Sequence, residues 1–436
     1  MDEEEVSMEA AENSSKDVAP ALIALHPLES CVAVAIGSEL RLFDLQGKRS
    51  VSLSDNTGGS SHSDAIRAIC FGANGRLFVS AGDDKLVKLW ATDSWHCVRT
   101  ICSEKRVSSV ALSHDGQYVT FADKFGAVWI VDLDEDGNKD AMADKKAVPL
   151  LGHYCSIITS LEISPDGRFI ASADRDFKIR ITMFPRKPLK LANEIQSFCL
   201  GHTDFVSCLS FVCPPDYSEG FLLSGSGDAT VRLWDYKSGC LLDTCEIGEK
   251  AGFVDYKEVE KEASPAVTNI HSFPDGSLVA VGIQSLNGVM LLKCESSTKT
   301  LSFLKTVYME ESFIPTSLSL SSSAKRLWVI MGASNLPSPG SSQLLTHVRV
   351  VSNLDQFLLD PHGCDPIILE DNDVPGGENL LTQLQGSLYA SKEEATLAAT
   401  ASALKVAMHN LLIKKQYSEG KRELRKRSRN DRKQKQ

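Results

Sequence analysis

The chain has 436 residues, a formal net charge of −11, 42% hydrophobic residues and twelve cysteines with no C-x-x-C spacing. That charge excludes a surface that coats nucleic acid throughout, so any basic site must be local, and no run approaches the roughly eighteen apolar residues of a membrane span. Several cysteines, Cys70 and Cys208 among them, stand beside apolar strand residues, as reduced core thiols of the nucleus or cytosol do. The start, MDEEEVSMEAAEN, is acidic where a signal peptide is basic and then apolar, which predicts a soluble, non-secreted protein.

Residues 1–18 carry seven acidic side chains against Lys16 and have little to bury, so they read as a disordered acidic N-terminus. From residue 19 to 372 one pattern recurs. Short apolar strands end at Phe43, Trp90, Val131, Thr182, Trp234, Leu292 and Val351, spaced 41 to 59 residues apart. Turn dipeptides recur independently between the first two strands of a unit, at Asn74-Gly75, Asp115-Gly116, Asp166-Gly167 and Asp275-Gly276, where positive φ is favoured. The best-formed unit, Gly201 to Tyr236, opens on Gly201-His202 and closes on Trp234-Asp235, the WD-repeat pattern. Seven closings predict an all-β, seven-bladed WD40 β-propeller, whose blades are too small to fold singly and share a core by stacking.

The polar residues of the repeat have a structural task. An indole N–H only donates, so Trp234 donating to Ser224, Ser224 to His202 and His202 to Asp228 would satisfy every buried polar group of blade five. The same residue types in a catalytic arrangement would need substrate access that a buried network lacks. Blade two repeats the set as His62, Ser80, Asp84 and Trp90. Blade four keeps His153, Ser172 and Asp176 but has Thr182 where the tryptophan belongs. No His/Cys cluster has metal spacing, and no glycine-rich strand-to-helix turn is present to hold a cofactor.

Insertions are expected at Asp132–Val148, Pro185–Glu194 and Gly248–Ala263. Because the acidic start is a poor outer strand, Pro366 to Leu369 is the candidate to complete the last blade. Residues 373–413 read as a linker and an amphipathic helix, with a capping box at Ser391 to Glu394 and a stripe of Leu397, Leu404, Met408, Leu411 and Leu412. Residues 414–436 read as a basic disordered tail in which Lys421, Arg422, Arg425, Lys426 and Arg427 are candidate phosphate contacts or a nuclear-import signal.

The segments ADRDFKIR, from Ala173 to Arg180, and SFCLGHTDFV, from Ser197 to Val206, are more specific than a generic repeat. They resemble the WD-repeat, non-catalytic subunit family of the eukaryotic tRNA (guanine-N7)-methyltransferase. The resemblance implies a scaffold with no chemistry of its own, forming a heterodimer with a catalytic subunit that holds S-adenosylmethionine, and helping to position tRNA for methylation in the variable loop. It implies partner docking through Arg175, Lys178 and Arg180, and a location in the nucleus and also the cytoplasm. A competing reading is a substrate receptor or adaptor of a cullin-type ubiquitin ligase. Such proteins show W-D-x-R at a blade end, whereas Trp234-Asp235 is followed by Tyr236-Lys237 and Trp90 by Ala91.

Overall fold

The computed structural model describes residues 21–385 apart from internal breaks, the longest at 55–61, 134–146, 185–193, 251–264 and 334–344, together with Leu404, Lys405 and Met408. The alternating apolar pattern builds seven sheets of four antiparallel strands, each sheet made of strands consecutive in the chain. Blades one to seven run from Leu22 to Val51, Ile66 to Cys102, Val107 to Gly152, Ile158 to Cys199, Val206 to Glu246, Val267 to Tyr308 and Pro315 to Ile368. The core lies between blades. Phe169, Ala171 and Ile181 of blade four, for example, share one buried cluster with Val206, Leu222 and Trp234 of blade five.

The first strand of each blade is innermost, so its free edge would leave backbone groups unpaired. The sequence answers this with a β-bulge. In blades three, four, five and seven the register shifts at Ser108, Thr159, Ser207 and Thr316. A bulge re-aims its side chain. Here each hydroxyl donates to a backbone carbonyl of the next blade: Ser108 to Ile158 at 2.6 Å, Thr159 to Val206 at 2.5 Å, Ser207 to Val267 at 2.5 Å and Thr316 to Ala21 at 2.7 Å. In blade two the bulge residue is Arg67, whose guanidinium instead holds Asp83 at 2.7 Å.

The ring closes without any exchange of strands between its ends. Ile367–Ile368 pairs with Leu345–Ser352 as the fourth strand of blade seven, so the Pro366 to Leu369 expectation holds. Blade seven meets blade one through Thr316 and through Ser317 and Ser319, whose hydroxyls accept Ile23 N–H at 3.3 Å and Leu25 N–H at 2.9 Å. Across this junction lies a helix, Gly377–Gln385, that the sequence reading missed. Its Leu380, Leu381 and Leu384 enter the cluster shared by Ile23 and Phe43 of blade one and Trp328 and Val348 of blade seven. Polar contacts fix it in place: the Gln385 Oε1 accepts Val348 N–H at 2.8 Å, Arg41 donates to the Leu384 carbonyl at 3.3 Å, and Asn379 to that of Lys48 at 3.2 Å.

The acidic N-terminus to residue 18, most of the helix expected from Ser391, and the basic tail with Lys421, Arg422, Arg425, Lys426 and Arg427 lie outside the described residues. Of the expected stripe, Leu404 and Met408 are described, the first buried and the second partly buried.

Candidate partner interface

The two complete polar locks form as the residue chemistry requires. In blade five Trp234 Nε1 donates to Ser224 Oγ at 2.8 Å, Ser224 Oγ lies 2.7 Å from His202 Nε2, and His202 Nδ1 lies 2.9 Å from Asp228 Oδ2. The tautomer with hydrogen on Nδ1 makes one continuous donor chain, from indole through hydroxyl and imidazole to carboxylate. Blade two repeats it through Trp90, Ser80, His62 and Asp84 at 3.0, 2.8 and 2.7 Å. Burial alone would raise the Asp228 carboxyl, but hydrogen bonds from His202, Thr230 and the Thr203 N–H hold it well below the usual range. Ser224 and Trp234 are fully buried and His202 is 6% exposed, so no substrate reaches the triad. The arrangement ties two strands of a blade to the loop that enters it.

Blade four departs from this pattern, and one expected residue is corrected. His153 Nε2 lies 2.7 Å from Ser172 Oγ as foreseen, but His153 Nδ1 meets Asp174 Oδ2 at 2.8 Å, not Asp176. Asp174 is 2% exposed and its Oδ1 also accepts the Lys178 N–H at 3.0 Å. A carboxylate at the end of the second strand reaches the imidazole as readily as one at the turn tip. Asp176 is thereby released to the surface, 3.3 Å from the Arg175 guanidinium. Thr182 takes the place of the missing indole: fully buried, it accepts from Arg180 Nε at 3.1 Å.

The three predicted contact residues therefore differ in availability. Lys178 is exposed on the turn, Arg175 stands partly exposed beside Asp176, and Arg180 is half-buried. Besides Thr182, Arg180 donates to the Gly152 carbonyl at 3.1 Å, and burial lowers its pKa. Arg232, at the equivalent place in blade five, donates in the same way to Thr230 at 3.3 Å, so these bonds of Arg180 belong to the blade. Lys178 and Arg175 are the side chains of this turn placed to meet another molecule.

The adaptor motif finds no support in the geometry. Tyr236, after Trp234-Asp235, is 2% exposed and donates to the Glu219 carbonyl at 2.9 Å, while Lys237 pairs with the Glu219 carboxylate at 2.7 Å. Among the described residues no cluster of His, Cys, Asp and Glu could hold a metal ion, and no helix is long and apolar enough to cross a membrane.

A general model, "WD domain, G-beta repeat", matches residues 56–91. Among curated relatives, the tRNA (guanine-N(7)-)-methyltransferase non-catalytic subunit wdr4 of Danio rerio is 36% identical over 240 residues, 55% of this chain and 53% of that protein. The same-named subunit of Xenopus laevis is 29% identical over 346 residues, 78% of this chain and 82% of its own. The chain spans about half the length of the first curated relatives it matches. A solved structure, "Structure of U3-55K", superposes with a TM-score of 0.58 over 73% of this chain and 89% of that one at 18% identity, which shows the propeller fold alone. The model described as "tRNA methyltransferase TRM82 WD40 domain" matches residues 135–354, half of the chain and all of blades four to six, and the chain belongs to that family.

Proposed function

We propose that this chain is the non-catalytic subunit of a tRNA (guanine-N7)-methyltransferase, which binds a separate catalytic subunit in a heterodimer and steadies it on tRNA. The observation that carries this reading is the blade-four turn, where the family's segment Ala173 to Arg180 keeps its lock on Asp174 and presents Arg175 and Lys178 outward. Cations held on a rigid turn suit acidic residues of a partner, and such complementarity sets association rate and specificity. S-adenosylmethionine belongs on the partner, since the His-Ser-Asp networks here are buried and already satisfied. The basic tail would reach tRNA phosphates through the complex and would also serve nuclear import. Relatives named as non-catalytic subunits support the same division of labour.

Calorimetry on the isolated full chain is expected to give no heat of S-adenosylmethionine binding, and the catalytic subunit is expected to co-purify with it in equal amounts. Cofactor binding by the isolated chain, or failure to retain the catalytic subunit, would contradict the proposal.

A further inference from the structure

The displaced lock of blade four has a counterpart in blade three. In blades two to five, Ala81, Ala122, Ala173 and Gly225 pair with Val87, Val128, Ile179 and Val231, leaving a five-residue turn between second and third strands. In blades two and five the third turn residue, Asp84 or Asp228, is the lock carboxylate. In blades three and four the carboxylate moves to the first turn position. Asp123 there accepts the Phe125 N–H at 2.7 Å and Trp129 Nε1 at 3.0 Å, as Asp174 accepts the Lys178 N–H and His153. The tips are released from structural duty in two adjacent blades.

Aromatic rings stand at both released tips. Phe125 is 65% exposed, and Phe177 is 40% exposed in a left-handed conformation, φ 69°. The same turn position is left-handed in blades two, three and five, at Lys85 (φ 67°), Gly126 (φ 88°) and Ala229 (φ 61°), so the conformation belongs to the turn and the large ring is what distinguishes blade four. A phenylalanine there is more strained than a glycine would be and leaves apolar surface in water, as Phe125 does in the neighbouring blade.

One of these rings carries a cation, and others stand on the neighbouring turns. Lys105 lies 5.1 Å from the Phe125 ring centroid, and Arg106 and Lys124 approach Asp83 at 3.9 and 3.6 Å, which ties the turns of blades two and three together. The corresponding turns carry Lys85, Lys124, Arg175 and Lys178 in blades two to four. Those of blades one, five and six, through Gly37-Ser38, Gly227–Thr230 and Gln284–Asn287, carry none. Among the described turns these are the ones that carry cations, interleaved with Asp83, Asp84, Asp123, Asp174 and Asp176.

We infer that the docking surface is continuous over blades three and four, with Phe125 and Phe177 as apolar anchors inside a cationic rim of Lys105, Arg106 and Lys178. The inference rests on the proposed function for its occupant, the catalytic subunit, and specifies that subunit's surface: two apolar sockets bordered by carboxylates. Aromatic anchors within a charged rim are the anatomy of protein interfaces. Lys124, its side chain 13% exposed and held toward Asp83, lacks the reach that phosphate contacts along a strand demand, which favours protein over RNA.

The test measures affinity for the purified catalytic subunit with full-length chain carrying Phe125→Ala with Phe177→Gly, beside Lys178→Glu. Because glycine relieves the strain at residue 177, the aromatic double variant is expected to melt no lower than a Phe125→Ala control, yet to bind the partner about tenfold or more weakly. Lys178→Glu is expected to weaken it too. Wild-type affinity of the aromatic variant with weakened Lys178→Glu would overturn the extension and confine docking to blade four. Wild-type affinity of both would overturn the proposed docking site itself. Unchanged partner affinity with loss of single-stranded oligonucleotide binding would replace the inference by an RNA-stacking surface.

Discussion

At the scale of single residues, the carboxylate that orients His153 sits at Asp174 while its neighbour but one, Asp176, faces solvent. Removing a buried hydrogen-bonded carboxylate leaves the imidazole and the Lys178 N–H unsatisfied, whereas removing a surface one does not. Asp174→Ala is therefore expected to lower the free energy of unfolding by about 1–3 kcal/mol, and Asp176→Ala by less than about 0.5 kcal/mol, in urea titrations of purified protein. The sequence could not separate the two. Asp176 stands at the turn tip, the place from which Asp84 and Asp228 bind the histidine in blades two and five, so the repeat pattern assigned the role to it. The locks of blades two and five were legible because each ends in a tryptophan whose single donor fixes the direction of the chain. The residue scale also carries a pH dependence. Burial raises Glu162, on the first strand of blade four, to about 8. Its folded value lies above the unfolded value of about 4.3, so folding favours the protonated form and stability falls as pH rises from about 4.3 to 8. Glu162→Gln should flatten the melting temperature between pH 6 and 8.5 and exceed wild type at the upper end. A steeper decline in the variant would reverse the assignment.

At the scale of elements, closure is the point at which a propeller is weakest, and here it depends on side chains and a helix rather than on a shared sheet. Each hydroxyl bridge at the channel comes from a β-bulge, and the register shift is what turns the hydroxyl toward the next blade. The sequence showed strands and their turns through period-two alternation, but a bulge leaves no mark in that pattern beyond a Ser or Thr at the start of a strand. The Gly377–Gln385 helix was hidden for a different reason. At nine residues it is too short for a helical period to stand out, although Leu380, Leu381 and Leu384 already lie on one side. Its packing makes it the seal of the ring. Leu384→Ala removes a fully buried side chain between the first and last blades and is expected to cost about 2–5 kcal/mol, read as a lowered denaturation midpoint. A near-neutral result would show that the hydroxyl contacts of Ala21, Ile23 and Leu25 hold the ring unaided.

At the scale of the whole molecule, an acidic propeller whose described turns carry cations on blades two to four is suited to engage one partner in one orientation. The fold class was legible because seven repeats each restate it. The docking face was legible only where a specific segment, Ala173 to Arg180, marked blade four. Blade three was missed because Phe125 in FADKFGAVW looks like one more apolar strand residue, and its exposure follows from a displaced carboxylate that only the geometry reveals. The account makes this chain a partner that lends geometry, not a catalyst. The most direct measurement is methyl transfer to tRNA by the catalytic subunit, titrated with wild-type chain and with Lys178→Glu. Activity is expected to rise with wild-type chain and saturate at one chain per catalytic subunit, while Lys178→Glu reaches the same plateau only at about tenfold or higher concentration, as a charge reversal at an interface requires. Identical titration curves for the two proteins, or methyl transfer by this chain alone, would contradict it.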